Sequence, residues 1–242
     1  MPWDFVSTVE GLGFSLGPEQ LRQLAAYRDA IAAAAARFSL TAVREPAEIE
    51  RRHFIESLAL GRALVELGAL APEGACRALD LGSGAGLPGL PLRIAWPRMT
   101  LTLLDANGKR CRFLRETVAA LGLSGVRVLE GRAEDYGHDP AHRASYDLVL
   151  ARAVAPLPVL LEYALPFLKI GGRLAAPKGG AARREVEQSA RALSELGGEI
   201  ESLRPFVAPG GREQTLLVIR KAAPTPDRYP RRAGVARKRP LR

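Results

Sequence analysis

Residues 78–89 read ALDLGSGAGLPG, and no other part of this chain carries as much information about its structure. Asp80 lies within a short apolar run, and three glycines then follow at alternate positions. Glycine is needed where a backbone takes a positive φ or approaches a ligand closely. A helix starting at Leu87 would direct its free N–H groups towards this loop, and a second apolar run ends in Asp105. Strand, glycine loop, helix, strand and acid form the first half of a nucleotide-binding βαβ unit, so we predict an enzyme with a nucleoside-bearing cofactor.

The sequence around this stretch predicts an α/β fold with a helical extension before it. Two amphipathic segments, 18–37 and 47–67, precede the glycine loop. The predicted strands are 76–81, 99–105, 126–130, 146–151, 172–177, 198–204 and 213–220. The helices predicted between them are 86–96, 107–122, 157–168 and 181–196. This order indicates a seven-stranded, mostly parallel sheet covered on both faces, with an antiparallel pair at its end.

The composition is that of an ordinary globular protein with one strongly basic terminus. Hydrophobic residues make up 47% and charged residues 25% of the 242 residues. The formal net charge is +9, of which +7 falls on residues 221–242 and +2 on the other 220 residues. Such an arm suits a polyanionic partner, and nucleic acid is favoured over a membrane surface because the arm has no apolar helical face. A disordered, solubilising tail is the alternative interpretation.

Neither a secretory signal nor a membrane span is visible in the sequence. No apolar run approaches the roughly 20 residues that cross a bilayer, and the first eleven residues contain two acids and no basic region. The two cysteines, Cys76 and Cys111, suit a reducing compartment rather than a disulfide framework. We therefore expect a cytoplasmic protein with no membrane partner.

Two interpretations of the glycines compete. Residues 84–89 match the dinucleotide fingerprint GxGxxG, but a lone match of this kind is weak and its register is poor. The glycine that directly follows the strand is Gly82, which gives the pattern DxGxGxG over 80–86. This pattern, with an acid ending the second strand, resembles the S-adenosylmethionine site of class I methyltransferases, which have a Rossmann-like fold. In that resemblance Asp105 binds the two ribose hydroxyls, and the segment 130–135 holds the adenine. Use of nicotinamide or another nucleotide is the alternative.

The segments near the strand ends narrow down the acceptor atom. Residues 151–156 read ARAVAP, where amino-group methylases of adenine carry an Asn/Asp-Pro-Pro-aromatic run. Cys111 lies on the helix after the second strand, which is a poor position for the nucleophile of C5-pyrimidine methylation. Asp147 is the one acid near the fourth strand, so we predict no metal site. These absences favour an acceptor that is already nucleophilic, such as guanine N7, for which the enzyme supplies mainly proximity and orientation.

Motifs spread over nearly the whole chain resemble one family. They are LTAVREP at 40–46, RHFIESL at 52–58, the glycine loop at 82–91, LDANGKR at 104–110, ARA at 151–153, PKG at 177–179 and YPRRAG at 229–234. Together they resemble the small-subunit ribosomal RNA guanine-N7 methyltransferase family, also called glucose-inhibited division protein B. The family commonly has Asn, Ser and Pro where this chain has Ser39, Ala106 and Ala236.

The resemblance implies S-adenosyl-L-methionine as cofactor and a guanine of 16S ribosomal RNA, in the small ribosomal subunit, as substrate. It implies cofactor contacts at Gly82, Gly84, Leu87, Asp105, Ala106, Asn107, Ala133, Glu134 and Arg152. We divide the chain into a helical extension at 1–72, a methyltransferase core at 73–221 and a basic arm at 222–242, and we expect a monomer. Two other functions stay open, a small-molecule methyltransferase and a cofactor-binding RNA-binding or ribosome-assembly protein without catalysis.

Several basic residues have two interpretations each. Arg152 and Lys178 are expected to orient the reactants or to balance charge, and we expect no general base. The alternatives are that Arg152 forms a salt bridge and that Lys178 is a solvated lysine. His53 is either structural or faces the RNA. One predicted helix carries a basic strip that either is solvated or binds the RNA backbone. Its members are Lys109, Arg110, Arg112 and Arg115.

Overall fold

The structure, a computed structural model, describes residues 4–71, 73–211 and 213–242. Within these residues, seven strands form one sheet: β1 Cys76–Leu81, β2 Met99–Asp105, β3 Val126–Glu130, β4 Tyr146–Leu150, β5 Leu168–Lys178, β6 Gly198–Val207 and β7 Glu213–Lys221. Their order is β3-β2-β1-β4-β5-β7-β6, and every pairing is parallel except the two that β7 makes. The order reverses between β1 and β4. In open α/β sheets, ligands bind outside the carboxyl ends of the strands at such a point.

Helices surround this sheet. Those before β1 are α1 Phe5–Gly11, α2 Pro18–Arg37, α3 Pro46–Ile49 and α4 Ile55–Glu66, and a π-helical turn, Glu50–Phe54, joins α3 to α4. Those after β1 are α5 Gly89–Ala95, α6 Gly108–Ala120, α7 Ala133–Tyr136, α8 Leu157–Ala164, α9 Ala182–Glu187, α10 Ala190–Leu196 and α11 Val235–Lys238, with a 3₁₀ turn at Leu165–Phe167. In the described ranges, no helix has both the length and the apolar character to cross a membrane.

Each face of the sheet packs into its own apolar cluster. One cluster joins strand residues such as Ala78 and Leu103 to helices α2, α4, α5 and α6. The other joins the adjacent strand residues, such as Leu79 and Leu104, to α8, α10 and the C-terminal segment. Successive strand residues point to opposite faces, so apolar residues at consecutive positions need cover on both sides. The N-terminal helices therefore share a core with the sheet.

Several predicted helices differ in the structure. The segment 47–67 is interrupted by the π-helical turn, and the helix predicted at 157–168 ends at Ala164. The predicted helix 86–96 begins only at Gly89, because Gly86 has a φ of +91°, which lies outside the right-handed helical region. The predicted helix 181–196 is divided into α9 and α10 at Ser189. The hydroxyl of Ser189 donates to the Glu185 carbonyl at 2.6 Å, a local bond that competes with regular helical geometry.

The C-terminal segment, residues 222–242, is not the extended arm that its composition suggests, and that prediction is wrong. The guanidinium of Arg143 donates to the carbonyls of Thr225 and Tyr229 at 2.7 and 2.8 Å. Further along, Arg231 forms a two-pronged ion pair with Glu162, a carboxylate of α8 with no solvent exposure, with its closest N–O distance at 2.6 Å. These contacts fold the C-terminal segment back onto the core.

Not all of the positive charge of the C-terminal region lies at the surface. Lys221 is buried at the end of β7, where its ammonium donates to the Leu196 carbonyl at 2.5 Å. Burial and the nearby charge of Arg143 lower the pKa of Lys221 to about 7. Because Arg231 is also paired internally, six exposed cations remain: Arg228, Arg232, Arg237, Lys238, Arg239 and Arg242.

We predict that Arg231→Ala destabilises the protein strongly. The substitution leaves the Glu162 carboxylate buried without its partner, which costs about 3–5 kcal/mol for a broken buried pair. Arg228→Ala is the matched control, since Arg228 makes a solvent-exposed pair with Glu195 and its loss has little effect. The free energy of unfolding in urea measures both. Equal unfolding midpoints for the two variants would contradict the anchoring role of Arg231.

Candidate functional site

The glycine loop, residues 82–88, leads from β1 into α5 with a left-handed backbone at three glycines. Their φ angles are +69° at Gly82, +59° at Gly84 and +91° at Gly86. A side chain at Gly86 would place its Cβ 2.5 Å from Leu90 Cδ1 and 2.9 Å from the hydroxyl oxygen of Tyr27. That hydroxyl belongs to α2 and donates to the Ala85 carbonyl at 2.5 Å. A helix of the N-terminal extension therefore supports the loop, a contact that the local sequence does not reveal.

The acid that opens the motif, Asp80, lies fully buried beneath this loop. Its Oδ2 accepts from the Gly89 N–H at 2.9 Å, and its Oδ1 has no hydrogen-bond partner among the residues described. Burial raises the pKa of Asp80 to about 7. The Asp80 carbonyl also accepts from the Ser83 hydroxyl at 2.7 Å. Asp80 thus fixes the loop to the first turn of α5.

The carboxylate of Asp105 lies at the end of β2, almost fully buried. Its Oδ2 accepts from the Gly84 N–H at 2.8 Å, and its Oδ1 accepts from the Asn107 N–H at 2.9 Å. A carboxylate has about four acceptor positions, so both oxygens can still accept from a diol. The Asn107 side chain is already used as the N-cap of α6, where it accepts from the Lys109 and Arg110 N–H groups. These bonds use its amide oxygen, whereas the amide NH2 group of Asn107 can still donate to a ligand.

A cavity of about 230 Å³, here called the cofactor cavity, opens at the carboxyl ends of β1 and β2. It is lined by five of the nine predicted cofactor residues: Gly82, Asp105, Ala106, Ala133 and Glu134. The other four lie outside its lining. Gly84 and Asn107 are bonded to Asp105, Leu87 is buried in the core, and Arg152 lies in a neighbouring cavity. The lining also includes Arg132, from the segment 130–135 expected to hold the adenine, and residues that the sequence did not single out for the cofactor: Arg110, Val154, Tyr163 and Arg237.

A second cavity of about 390 Å³, here called the adjoining cavity, shares Ala153 and Val154 with the first. Arg152 lies in it, and its guanidinium donates to Glu56 Oε2 at 3.1 Å. The amide of Gln214 donates to the other oxygen of Glu56. The salt bridge considered for Arg152 is therefore present, but its partner comes from α4 of the extension. No sequence pattern singled out Glu56 for this role.

Lys178 faces the same cavity from the end of β5. Its ammonium donates to the Ala155 carbonyl at 2.8 Å and to Glu185 Oε2 at 2.9 Å, and only 11% of its side chain is exposed. The same Glu185 oxygen accepts from the Leu157 N–H at 2.7 Å. The solvated-lysine interpretation is therefore wrong. Lys178 and Glu185 instead hold the loop after β4 in place.

His53 lies in the π-helical turn, close to the same region. Its Nδ1 is 3.1 Å from the Arg52 carbonyl, and its Nε2 is 3.0 Å from the Thr41 hydroxyl. Burial and the charge of Arg152 lower the pKa of His53 to about 4, so the ring is neutral near pH 7. A carbonyl only accepts, so Nδ1 carries the proton and Nε2 accepts from Thr41. Both ring nitrogens are engaged, which fits the structural interpretation of His53.

Known proteins resemble this chain over nearly its full length. The profile of the GidB family, described as rRNA small subunit methyltransferase G, matches residues 20–215. A ribosomal RNA small subunit methyltransferase G from Chloroflexus aggregans is 44% identical over 236 residues, covering 98% of this chain and 96% of the relative. The protein of the same name from Leuconostoc mesenteroides is 40% identical over 238 residues, covering 98% of both chains.

Solved structures agree on the fold. A SAM-dependent methyltransferase from Aquifex aeolicus superposes with a TM-score of 0.52 at 18% identity, covering 74% of this chain and 94% of its own. TrmN from Thermus thermophilus gives a TM-score of 0.50 at 24% identity, covering 71% of this chain and 53% of its own. The predicted class I methyltransferase fold is confirmed. With the family profile and the two relatives, this establishes that the chain belongs to the GidB family of rRNA small subunit methyltransferases.

Proposed function

We propose that this chain transfers a methyl group from S-adenosylmethionine to N7 of a guanine in the 16S ribosomal RNA of the small subunit. The observation that carries the proposal is the pair of neighbouring cavities, sharing Ala153 and Val154, at the point where the strand order reverses. One presents the Asp105 carboxylate beside a glycine loop, and the other holds charged groups that are all paired. The relatives are named as ribosomal RNA methyltransferases, which supports a ribosomal substrate. The salt-bridged side chains of the second cavity favour an acceptor that needs no general base.

The residues of the cofactor cavity fit an adenosyl cofactor. Asp105 accepts from two backbone N–H groups and keeps acceptor capacity for the ribose hydroxyls. Ala133 and Glu134 follow β3 and line the side of the cavity where we expect the adenine. When bound, the cofactor supplies an electrophilic methyl group on a positively charged sulfur. We assign the methionine end to the glycine loop, whose backbone has no side chains to obstruct it.

The adjoining cavity suits an acceptor that keeps no proton on its nucleophilic atom. Arg152 is paired with Glu56, and Lys178 with Glu185. The Nε2 lone pair of His53 accepts from Thr41. Among the described groups here, none is left free to remove a proton. Guanine N7 carries a lone pair in the neutral base, so orientation of the acceptor is the main task.

Unpaired cations around the two cavities favour an RNA acceptor over a small molecule. Arg132 lines the cofactor cavity and has no carboxylate within 4 Å in the described part of the chain. Arg52, beside the adjoining cavity, is likewise without such a partner among those residues. Exposed cations of this kind bind phosphates, and their contribution falls as salt rises.

The direct test is methyl transfer from labelled S-adenosylmethionine to small subunits from a strain that lacks its own N7 enzyme. Chemical cleavage at 7-methylguanine then maps the label. We expect one modified guanine in 16S RNA. Label at another atom would refute the N7 assignment. Unlabelled subunits despite cofactor binding would favour an assembly role or a different acceptor.

We predict that Asp105→Asn weakens cofactor binding at least tenfold. The amide keeps the shape of the side chain but replaces one acceptor oxygen by a donor, and hydrogen bonds to a charged group contribute about 1.5–3 kcal/mol. Asp29→Asn, at an exposed position of α2 outside the cavity lining, is the control. Isothermal titration with S-adenosylhomocysteine measures the dissociation constant. Equal constants for both variants would remove Asp105 from the cofactor site.

We predict that His53 makes the protein less stable in mild acid. The folded-state pKa of about 4 is below the ordinary value of 6.5, so between these values the unfolded chain binds more protons and stability falls as the pH falls. His53→Gln reduces this slope by an amount on the order of 2–3 kcal/mol over the window. Gln188→Ala, at an exposed position between α9 and α10, is the control, since it removes no titratable group. Urea unfolding at pH 7 and pH 4.5 measures both, and parallel curves for His53→Gln and wild type would contradict the burial of a neutral ring.

A further inference from the structure

We propose that the C-terminal segment forms one wall of the cofactor cavity and that Arg237 is an additional cofactor-binding residue, its guanidinium packing against the adenine. This inference rests on the proposed function only in taking the ligand to be an adenosyl cofactor. It changes the role of the basic terminus, whose composition alone suggests an arm for RNA.

The first support is the position of Arg237. It lies on α11 and lines the cofactor cavity together with Ala133, Glu134 and Tyr163. Ala133 and Glu134 are the residues that we place beside the adenine. More than 100 residues along the chain separate Arg237 from them, and the fold brings the three into one lining.

The second support is that this part of the chain is held firmly in place. The Gly234 N–H donates to Glu134 Oε1 at 3.1 Å, so the segment is bonded directly to a residue of the cavity. Gly234 has a φ of +81°, which turns the chain into α11, and the next residue but one, Ala236, is fully buried. The position of the next residue, Arg237, on the same short helix is therefore fixed by the backbone.

The third support is that contacts of Arg231 hold both ends of the stretch that contains Arg237. Arg231 pairs with the buried Glu162 and also donates to the Arg239 carbonyl at 2.9 Å. These bonds join the two ends of the stretch 231–239. Leu241, two residues beyond this stretch, is buried in the apolar cluster that also contains α8. The stretch therefore does not need RNA to fix its position.

The chemistry of a guanidinium suits this place. Arg237 has no carboxylate within 4 Å among the described residues, although Asp105 and Glu134 line the same cavity. Burial and Glu134 raise the pKa of the Tyr163 phenol, and the proximity of Arg237 opposes the rise. A planar guanidinium packs face to face on aromatic rings and donates in its own plane. An adenine ring in the cavity would offer both a face and ring nitrogens.

The test is isothermal titration of the full-length protein with S-adenosylhomocysteine. We expect Arg237→Gln to raise the dissociation constant between five- and twentyfold, and Arg237→Lys to recover only part of the loss because its ammonium is not planar. Lys238→Gln, at the exposed neighbour on the same helix, is the matched control and should bind like the wild type. Thermal unfolding checks that all variants are folded.

RNA binding distinguishes this inference from the alternative that Arg237 contacts the RNA. A filter-binding titration with 16S RNA at several salt concentrations should give the same affinity for Arg237→Gln and Lys238→Gln. If Arg237→Gln loses RNA affinity but binds the cofactor normally, the inference is overturned and Arg237 is an RNA contact. If wild type and Arg237→Gln bind the cofactor equally, it is also overturned. A wild-type protein that binds the cofactor but never methylates RNA would instead count against the proposed function alone.

Discussion

Asp105 accepts hydrogen bonds from two different loops, and the geometry of the cofactor cavity depends on them. One bond comes from the Gly84 N–H in the glycine loop, and the other from the Asn107 N–H before α6. The first requires the backbone of Gly84 to take a positive φ, which a side chain would disfavour. The second directs Asn107 into its capping position. A single acid thus joins the glycine loop after β1 to the turn before α6, and the ribose must fit beside it.

The N-terminal helices act as part of the site rather than as an appendage. Tyr27 supports the glycine loop from α2, and Glu56 holds Arg152 from α4. Gln20, also on α2, donates to the Ile94 carbonyl at the end of α5. The extension therefore contacts the glycine loop, α5 and the loop after β4. A change in its packing would alter the orientation of Arg152 without touching the sheet.

Much of the fold follows from local sequence, while the site depends on distant partners. The central strands and the glycine loop were predictable because burial on both faces leaves continuous apolar runs, and a positive φ favours glycine. Tyr27 and Glu56 were missed because their partners lie 58 and 96 residues away. The C-terminal segment was misread for the same reason. Its basic composition is visible locally, but the burial of Glu162, which holds Arg231, is not.

The pairing of cations beside the transfer site has an electrostatic consequence. In the proposed reaction the methyl donor is cationic and methylation at N7 leaves the guanine cationic, so positive charge is present in the cavities throughout. Two unit charges 4 Å apart repel by about 4 kcal/mol at an effective dielectric constant of 20. Arg152 and Lys178 escape this penalty because Glu56 and Glu185 neutralise them, at N–O distances of 3.1 and 2.9 Å. The two salt bridges keep the N–H donors of Arg152 and Lys178 in place, while the carboxylates cancel their positive charge. The carboxylates are consequently as much a part of the site as the cations that the sequence motifs single out.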